Sequence, residues 1–278
     1  MDNKFNFSSK FRVANIFSLI LFVTSVLFIL FKGLNYGIDF KGGTLIELRA
    51  SSTGASEIRT ALNKMDLGDV NVKNFGQEGD YLIKVEQKEN DRNKIIPQIK
   101  KNLSENLKTE INFRRVENVG PKVSSELLQS GIIAISLSLA AMLFYIWIRF
   151  EWQFSIGSII ALFHDVVITL GIFSFLSLEI NLSIIAAVLT IVGYSMNDTV
   201  VIYDRIRENL NKFNRLNISE IADLSINDTL ARTIITSITT LLALFSIFIL
   251  GGEILKGFSF AMILGVIIGT YSSIFVAS

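Results

Sequence analysis

Six long apolar runs constrain this chain more than any other feature, because each is long enough, or nearly so, to cross a bilayer as a helix. A hydrocarbon core of about 30 Å requires about 20 helical residues. Half of all residues are hydrophobic and 18% are charged, against about 25% charged residues in soluble domains. The sequence therefore predicts a polytopic α-helical membrane protein with six transmembrane helices. The runs cover 13–31, 131–148, 154–176, 180–203, 234–250 and 257–277.

The residue types that the sequence lacks exclude several kinds of chemistry. There is no cysteine, which removes disulfides, thiol nucleophiles and cysteine metal sites. With one histidine, His164, a zinc site would depend almost wholly on carboxylates, which is a poor prospect. No GxxxxGK[ST] phosphate-binding motif is present, and the net charge of +1 does not indicate nucleic acid as a partner. We expect no metal, no cofactor and no enzymatic activity.

Basic residues flank the apolar runs unevenly, and this asymmetry predicts the orientation in the membrane. The first run is longer than a typical signal-peptide core and no small-x-small cleavage site follows it, so we expect an uncleaved anchor. One set of short segments carries nine basic residues, whereas the opposite loops carry Lys256 alone. Both termini are therefore predicted to be cytoplasmic, and 33–130 extracytoplasmic. The nine are Lys4, Lys10, Arg12, Arg149, Arg205, Arg207, Lys212, Arg215 and Arg232.

The segment 33–130 is predicted to form a solvated α+β domain. Its hydrophobic periodicity predicts strands at 44–50, 70–75, 81–85 and 111–116, with a turn at 76–79. Helices are predicted at 55–65 and 93–107. The order β-α-β-β-α-β suggests a small ferredoxin-like sandwich. We therefore predict transmembrane helix 1 within 1–32, an extracytoplasmic domain at 33–130 and helices 2 to 6 within 131–278, a 1+5 arrangement.

Two charged residues lie inside the apolar runs and a third, Arg232, is predicted at or just inside the start of the fifth helix, where a charge is costly. A charge inside a membrane costs about 3 kcal/mol on insertion scales and more in simulations, so it calls for a reason. Asp165 lies in the third run beside His164, Asp198 lies in the fourth beside Asn197, and Arg232 is predicted at the start of the fifth helix. An aspartate and an arginine on neighbouring helices can neutralise each other, and a proton can break that pair.

The surroundings of these charges leave several interpretations open. Thr236, Thr239 and Thr240 follow Arg232 at helical spacing, which predicts a polar stripe on the arginine's side of the helix. Asp198 and Arg232 are interpreted as a proton-responsive pair or as a structural ion pair that fixes helix register. Asp165 fits either a structural or a functional carboxylate. His164 fits packing or hydrogen bonding better than proton transfer.

Five sequence motifs, in this order on this topology, resemble those of the SecD/SecF protein-export family. They are GIDFKGG at 37–43, VGP at 119–121 followed by EL, HD at 164–165, GYSMNDTVV at 193–201 continuing to DRIRE, and RT at 232–233 followed by TSITT. The asparagine-aspartate motif and the short external domain resemble SecF more than SecD. The motif positions in the first two segments are Gly37, Asp39, Phe40, Gly42, Gly43, Gly120 and Pro121.

The resemblance implies an accessory subunit of the Sec translocon, related to the resistance-nodulation-division superfamily and embedded in the bacterial cytoplasmic (inner) membrane. Such a subunit pairs with SecD and acts with SecYEG and SecA, with a further small subunit such as YajC left open. It uses the proton-motive force to draw out an exported precursor polypeptide. Carried over by position, Asp198 is the proton-responsive carboxylate and Arg232 its counter-charge. Protons as the coupling ion are the only cofactor implied.

Three other classes of function remain open from the residues alone. Asp165 and Asp198 on two helices satisfy the count for an intramembrane aspartyl protease, although the G-x-G-D context is missing. A stand-alone proton-coupled transporter of lipids or hydrophobic small molecules would more commonly carry two six-span halves, and no internal repeat is evident. A passive scaffold of the translocon would hold these charges for structure alone.

Overall fold

The computed structural model describes residues 5–50, 53–65, 67, 70–74, 77, 79–85, 95–107, 111–150, 152–213 and 215–277. Lys4, Gly76 and Asn93, which enter the sequence analysis, lie outside the described residues. The chain divides into a unit formed by Met1–Asn35 with Ile133–Ser278, here the membrane unit, and a unit formed by Tyr36–Ile132, here the α+β unit. The elements in chain order are α1 (Ser8–Lys32), β1 (Asn35–Tyr36), α2 (Ile38–Lys41), β2 (Gly43–Ala50), α3 (Ala55–Asn63), β3 (Val70–Asn74), β4 (Asp80–Val85), α4 (Ile95–Asn106), β5 (Ile111–Val119), α5 (Pro121–Arg149), α6 (Trp152–Phe175), β6 (Glu179–Ile180), α7 (Leu182–Lys212), α8 (Ile218–Leu250) and α9 (Gly252–Phe275).

Within the described residues, six helices are long and apolar enough to cross a membrane, namely α1 and α5 to α9. This agrees with the six apolar runs, and the chain is a multi-pass membrane protein. Three helix ends extend well beyond the runs: α5 begins at Pro121, α7 continues to Lys212 and α8 begins at Ile218. A prediction from apolar residues ends a helix at the first polar residues, although polar residues continue a helix readily. Arg232 consequently lies well inside α8, and its prediction at the start of that helix was wrong.

Polar side chains fix the starts of α7 and α8. The side-chain oxygen of Asn181 accepts a hydrogen bond from the Ile184 N–H at 3.1 Å. The Glu220 carboxylate accepts one from the Asn217 N–H at 2.9 Å. The first N–H groups of a helix have no partner within the helix, so such side chains stabilise its beginning. These caps explain why α7 begins after Ile180 and α8 begins before its apolar part.

The helices of the membrane unit differ in how much of their surface the chain itself buries. The most apolar stretches of α6, α7 and α9 are 61%, 50% and 56% buried, against 11%, 11% and 17% for α1, α5 and α8. Helices α6, α7 and α9 therefore form its centre. The other three present apolar side chains outward, to lipid or to partner helices.

Small residues allow the central helices to pack closely. A Cβ atom added at Gly269 of α9 would lie 3.0 Å from the Cβ of Ser195 in α7. A Cβ at Gly265 would lie 2.8 Å from Cγ2 of Ile191, so α7 and α9 meet across two glycines. A Cβ at Gly171 of α6 would lie 2.6 Å from the Cα of Ser25 in α1. Close backbone approach through small residues is a common mode of helix association in membranes.

The first turns of α8 are tied to α1 and α7 by polar contacts. Asp223 accepts hydrogen bonds from the N–H and the hydroxyl of Ser8, both at 2.7 Å. Arg205 of α7 pairs with Asp228 at 2.8 Å. The amide of Asn209 donates to the Ser225 hydroxyl at 2.9 Å. This end of α8 is thus well anchored.

The α+β unit has a four-stranded antiparallel sheet in the order β3-β4-β2-β5. Along the chain, β2, α3, β3, β4, α4 and β5 follow one another. Its core combines alternate residues of the strands with the apolar sides of α3 and α4, including Ile46, Leu48, Ile58, Ile83 and Leu103. The register between β2 and β5 shifts between Glu47 and Leu48, at a bulge or irregularity.

Asp80 and Lys84 of the α+β unit have perturbed pKa values. The Asp80 carboxylate accepts hydrogen bonds from Arg49 Nε at 2.6 Å and from Arg49 Nη2 at 2.9 Å, and Arg114 lies at 3.1 Å. These bonds hold the pKa of Asp80 below its ordinary value, because they favour the ionised form. Burial, with a smaller contribution from Lys73, lowers the pKa of Lys84 to about 8.

Candidate functional site

Asp198 lies in α7 with 3% of its surface exposed. Its Oδ2 atom is buried and has no hydrogen-bond partner among the described residues. Arg232 of α8 interacts with it through a Coulomb attraction. Among the described residues, however, no ion pair within 4.0 Å joins the two. The structure thus brings the predicted pair onto neighbouring helices without a direct contact.

The polar stripe predicted after Arg232 does not face the interior of the membrane unit. Arg232 and Thr239 are exposed, and Thr236 and Thr240 are half-buried. The Thr236 hydroxyl donates to the Thr233 carbonyl at 2.9 Å, and the Thr239 hydroxyl to the Ile235 carbonyl at 2.9 Å, so both bond to their own helix. The hydroxyls of Thr236 and Thr239 therefore bond along α8 and not to Asp198.

The buried polar side of α8 is formed instead by Thr229, Thr233 and Ser237, which are spaced four residues apart. The Ser237 hydroxyl lies 2.7 Å from the Thr270 hydroxyl of α9. The Thr233 hydroxyl is buried and has no hydrogen-bond partner in the part of the chain that the structure describes. Sequence reasoning missed this stripe, although the same i, i+4 spacing would have revealed it one position along the helix.

Asp165 occupies a different environment from Asp198. It is fully buried in α6, and its Oδ2 accepts hydrogen bonds from the Ser195 hydroxyl at 2.6 Å and the Ser272 hydroxyl at 2.7 Å. His164 Nδ1 lies 2.9 Å from the other carboxylate oxygen, Oδ1. The partnership with Ser272 leaves no signal in the sequence, because the two residues are remote along the chain.

His164 and Asn197, the two polar neighbours predicted to support these carboxylates, are placed differently. His164 is buried, and its Nε2 bonds to none of the residues that the structure describes. Asn197 is exposed, because adjacent residues of a helix point in different directions. His164 therefore belongs to the Asp165 cluster, whereas Asn197 lies on the outer side of α7.

The two carboxylates do not form the proton-sharing pair that an aspartyl protease requires. Both oxygens of Asp165 are engaged by Ser195, Ser272 and His164, whereas Oδ2 of Asp198 bonds to none of the described residues. This arrangement disfavours the protease alternative. Within the described ranges, no group of three or more His, Asp or Glu side chains could hold a metal ion.

The glycine-rich motif at 37–43 forms the short helix α2 and the turn into β2. Gly42 and Gly43 have φ values of +78° and +141°, a region that favours glycine. A Cβ at Gly43 would also lie 2.7 Å from the Val85 carbonyl oxygen of β4. Gly37 precedes α2, Asp39 lies in its first turn, and Phe40 is buried. Both backbone shape and close packing therefore require glycine at position 43.

The second motif lies next to the first within the α+β unit. Gly43 pairs with Val119 in the sheet, directly before Gly120 and Pro121. The Ser124 hydroxyl, one turn into α5, donates to the Ile38 carbonyl of α2 at 3.2 Å. Helix α5 begins at Pro121, a position that suits proline because its missing N–H would have no helical partner. Two motifs far apart in sequence thus form one structural joint.

Comparison with known families gives two matches, which together contain the motif and candidate site residues described above. Residues 99–278 match the family described as protein export membrane protein SecD/SecF, C-terminal, and residues 27–53 match the SecD/SecF GG motif. The chain belongs to the SecD/SecF family. This confirms the resemblance read from the sequence. The SecD/SecF C-terminal match contains Asp165, Asp198 and Arg232, and the GG-motif match contains the turn at 37–43.

Individual SecD/SecF relatives match over nearly the whole chain. It is 46% identical over 276 residues to the protein translocase subunit SecF of Rickettsia rickettsii, covering 99% of this chain and 90% of that protein. It is 44% identical over 273 residues to protein translocase subunit SecF of Vibrio alginolyticus, covering 96% and 85%. Its fold matches the crystal structure of SecDF, a translocon-associated membrane protein from Thermus thermophilus, with a TM-score of 0.89 and 35% identity over 99% of this chain. The chain spans 38% of that SecDF chain.

Proposed function

We propose that this chain is a SecF-type accessory subunit of the Sec protein translocase, which promotes protein export together with a SecD partner. The near full-length similarity to SecF subunits carries the proposal. The SecDF chain that shares its fold is more than twice as long, which fits a second half supplied by SecD. SecYEG, SecA and the exported polypeptide are the further partners we propose, with YajC left open.

The proposed setting is the bacterial inner membrane, with both termini cytoplasmic and 33–130 outside. The excess of basic residues on one set of short segments supports this orientation. We also propose a 1+5 arrangement in which a ferredoxin-like domain separates α1 from α5. The β2-α3-β3-β4-α4-β5 order around a four-stranded sheet supports that domain type.

We further propose that the subunit is driven by protons and that Asp198 is the group that accepts them. The single observation behind this mechanism is the buried Asp198 oxygen without a hydrogen-bond partner, attracted by Arg232 from beyond ion-pair distance. A proton on that oxygen removes the charge attraction between Asp198 of α7 and Arg232 of α8. One charge that crosses 100 mV supplies about 2.3 kcal/mol, and this biases a two-state helix arrangement by more than about tenfold.

The arrangement of α8 suits such a response. Its first turns are tied to α1 and α7 through Asp223 and Asp228. Further along, Arg232 is exposed and the buried Thr233 hydroxyl has no partner. Because α8 has apolar surface that the chain itself does not bury, we propose that the SecD half packs against it. Loss of the Asp198 attraction would then change the contact between the two halves.

The experiment that tests this function measures release of an exported protein from vesicles that hold the complete complex. Asp198→Asn is compared with wild type, with and without a proton gradient, after co-purification of SecD has been checked. The matched control is Asp204→Asn, an aspartate of the same helix that pairs with Arg149. We expect stimulation by the gradient to be lost in Asp198→Asn and kept in Asp204→Asn. Full stimulation in both variants would leave only a scaffold role.

A further inference from the structure

The carboxylate of Asp165 joins three helices at one buried point. Its Oδ2 atom accepts from Ser195 of α7 at 2.6 Å and from Ser272 of α9 at 2.7 Å, while Asp165 itself belongs to α6. All three residues are at most 1% exposed. Both distances lie in the range of O–H···O hydrogen bonds, about 2.5–3.0 Å. The two serine hydroxyls are therefore hydrogen-bonded to Asp165 in a fully buried part of the membrane unit.

Asp165 and Asp198 differ in what their oxygens are free to do. Both oxygens of Asp165 are engaged, because His164 Nδ1 lies 2.9 Å from Oδ1 while the two serines donate to Oδ2. Oδ2 of Asp198 is buried without a partner. A carboxylate that is held by three partners on its two oxygens acts as a fixed junction. Asp198 keeps an open position.

The junction acts on the same part of α7 that carries Asp198. Ser195 precedes Asp198 by three residues, so the two side chains lie on neighbouring positions of one helix face. Opposite Ser195, α9 approaches so closely that a Cβ at Gly269 would lie 3.0 Å from the serine Cβ. A rotation of α7 about its axis would break the Ser195–Asp165 bond, and the approach of α9 restricts it further.

We infer that Asp165 is a positioning residue. Through Ser195 it fixes the rotation of α7 about its axis, and through Ser272 it fixes the position of α9, so that Asp198 is held on the side of Arg232. This inference rests on the proposed role of Asp198. In this inference Asp165 does not transfer a proton. Its part is to hold α6, α7 and α9 as one block while α8 responds.

The test measures how fast N,N′-dicyclohexylcarbodiimide, which modifies protonated carboxyls in apolar surroundings, labels Asp198 in the complete complex. Ser195→Ala and Ser272→Ala each remove one hydroxyl from the junction. Ser259→Ala is the matched control, because Ser259 is also fully buried in α9 but donates to the Leu255 carbonyl of its own helix. Mass spectrometry of the peptide that contains Asp198 reports the labelling, and co-purification of SecD reports assembly.

We expect Ser195→Ala to change the labelling rate of Asp198 by about fivefold or more, the effect of one lost hydrogen bond of ordinary strength. Ser272→Ala is expected to act in the same direction, and Ser259→Ala to match wild type. A junction that serves stability alone would lower the thermal midpoint of the variants and leave the labelling of assembled complexes unchanged. That result would overturn the inference.

Asp165→Ala provides a second variant, because alanine has no side-chain oxygen to accept from either serine hydroxyl. If it assembles, its labelling rate has to change at least as much as that of Ser195→Ala. If it does not assemble, the two serine variants decide the matter. Because the readout is labelling and not export, the outcome stays separate from the proposed function. Unaltered export in Asp198→Asn would refute proton coupling, whereas unaltered labelling in Ser195→Ala would refute positioning.

Discussion

Replacement of Gly171 by alanine tests the packing of α1 against α6 most sharply. The added Cβ would lie 2.6 Å from the Cα of Ser25. Because the obstructing atom belongs to the backbone, rotation of a side chain cannot relieve the clash. Ordinary carbon contacts are about 3.5 Å or longer, so α1 has to retreat by about 1 Å. That shift also stretches the bond from the Ser174 hydroxyl to the Phe28 carbonyl, now 2.9 Å.

The expected cost combines three effects. Overpacking costs about 1–3 kcal/mol, and one weakened hydrogen bond adds about 1 kcal/mol. Alanine in place of glycine returns up to about 1 kcal/mol through helix propensity. The net prediction is a free energy of unfolding lower by about 1–3 kcal/mol, which corresponds to a midpoint lower by several degrees.

Gly193→Ala is the matched control, because it makes the same change in another membrane helix. A Cβ at Gly193 would meet only Met142 Cε, at 4.0 Å, so this variant should gain stability or stay neutral. Thermal unfolding of the purified protein, followed by circular dichroism at the helical band, gives both midpoints. If Gly171→Ala unfolds at or above the wild-type temperature, the close approach of α1 and α6 is wrong.

Three further predictions concern the α+β unit. The lowered pKa of Asp80 means that its bonds to Arg49 stabilise the unit above the unfolded-state pKa, about 4, and that this stability is lost as the pH falls through the folded-state pKa. Acid unfolding of the whole chain should therefore differ between wild type and Asp80→Asn. Equal thermal midpoints of the two proteins at pH 7 would contradict this. The pKa of Lys84 is lowered to about 8, so between about pH 8 and about pH 10 this residue binds fewer protons when folded than when unfolded. The free energy of unfolding should therefore rise over this pH range in wild type and rise less in Lys84→Met. Parallel stability–pH profiles of the two proteins would refute the prediction. Gly43→Ala combines a φ of +141° with a Cβ 2.7 Å from the Val85 carbonyl oxygen. It should lower the free energy of unfolding by at least about 1–3 kcal/mol, measured as a lower thermal midpoint. Unchanged stability would exclude strain at this turn.

The number of membrane helices could be predicted from the sequence because burial in lipid requires long uninterrupted apolar runs. Their ends could not, since polar residues continue a helix into water. Helix α8 shows this most clearly: its apolar run starts at 234, but the helix begins at Ile218, where Glu220 bonds the Asn217 N–H.

Within the candidate site, the sequence revealed which residues are costly in a membrane but not what they contact. Asp165, Asp198 and Arg232 could be found because charge is rare in the spans. Ser195 and Ser272 could not be assigned to Asp165, because serine is common in membrane helices and its partner depends on how the helices pack. The buried polar stripe of Thr229, Thr233 and Ser237 could not be identified as buried either, because the sequence does not show which side of α8 packs against its neighbours.

The most direct test of the central claim is proton entry into proteoliposomes that hold the complete complex, with a pH-sensitive dye inside and an imposed membrane potential. If Asp198 accepts the coupling proton, Asp198→Asn should reduce the potential-driven proton uptake by about tenfold or more. Asp204→Asn, on the same helix, should leave the uptake at the wild-type rate. Equal uptake by wild type and Asp198→Asn would contradict the account, because proton movement would then be independent of the one intramembrane carboxylate oxygen proposed to receive it.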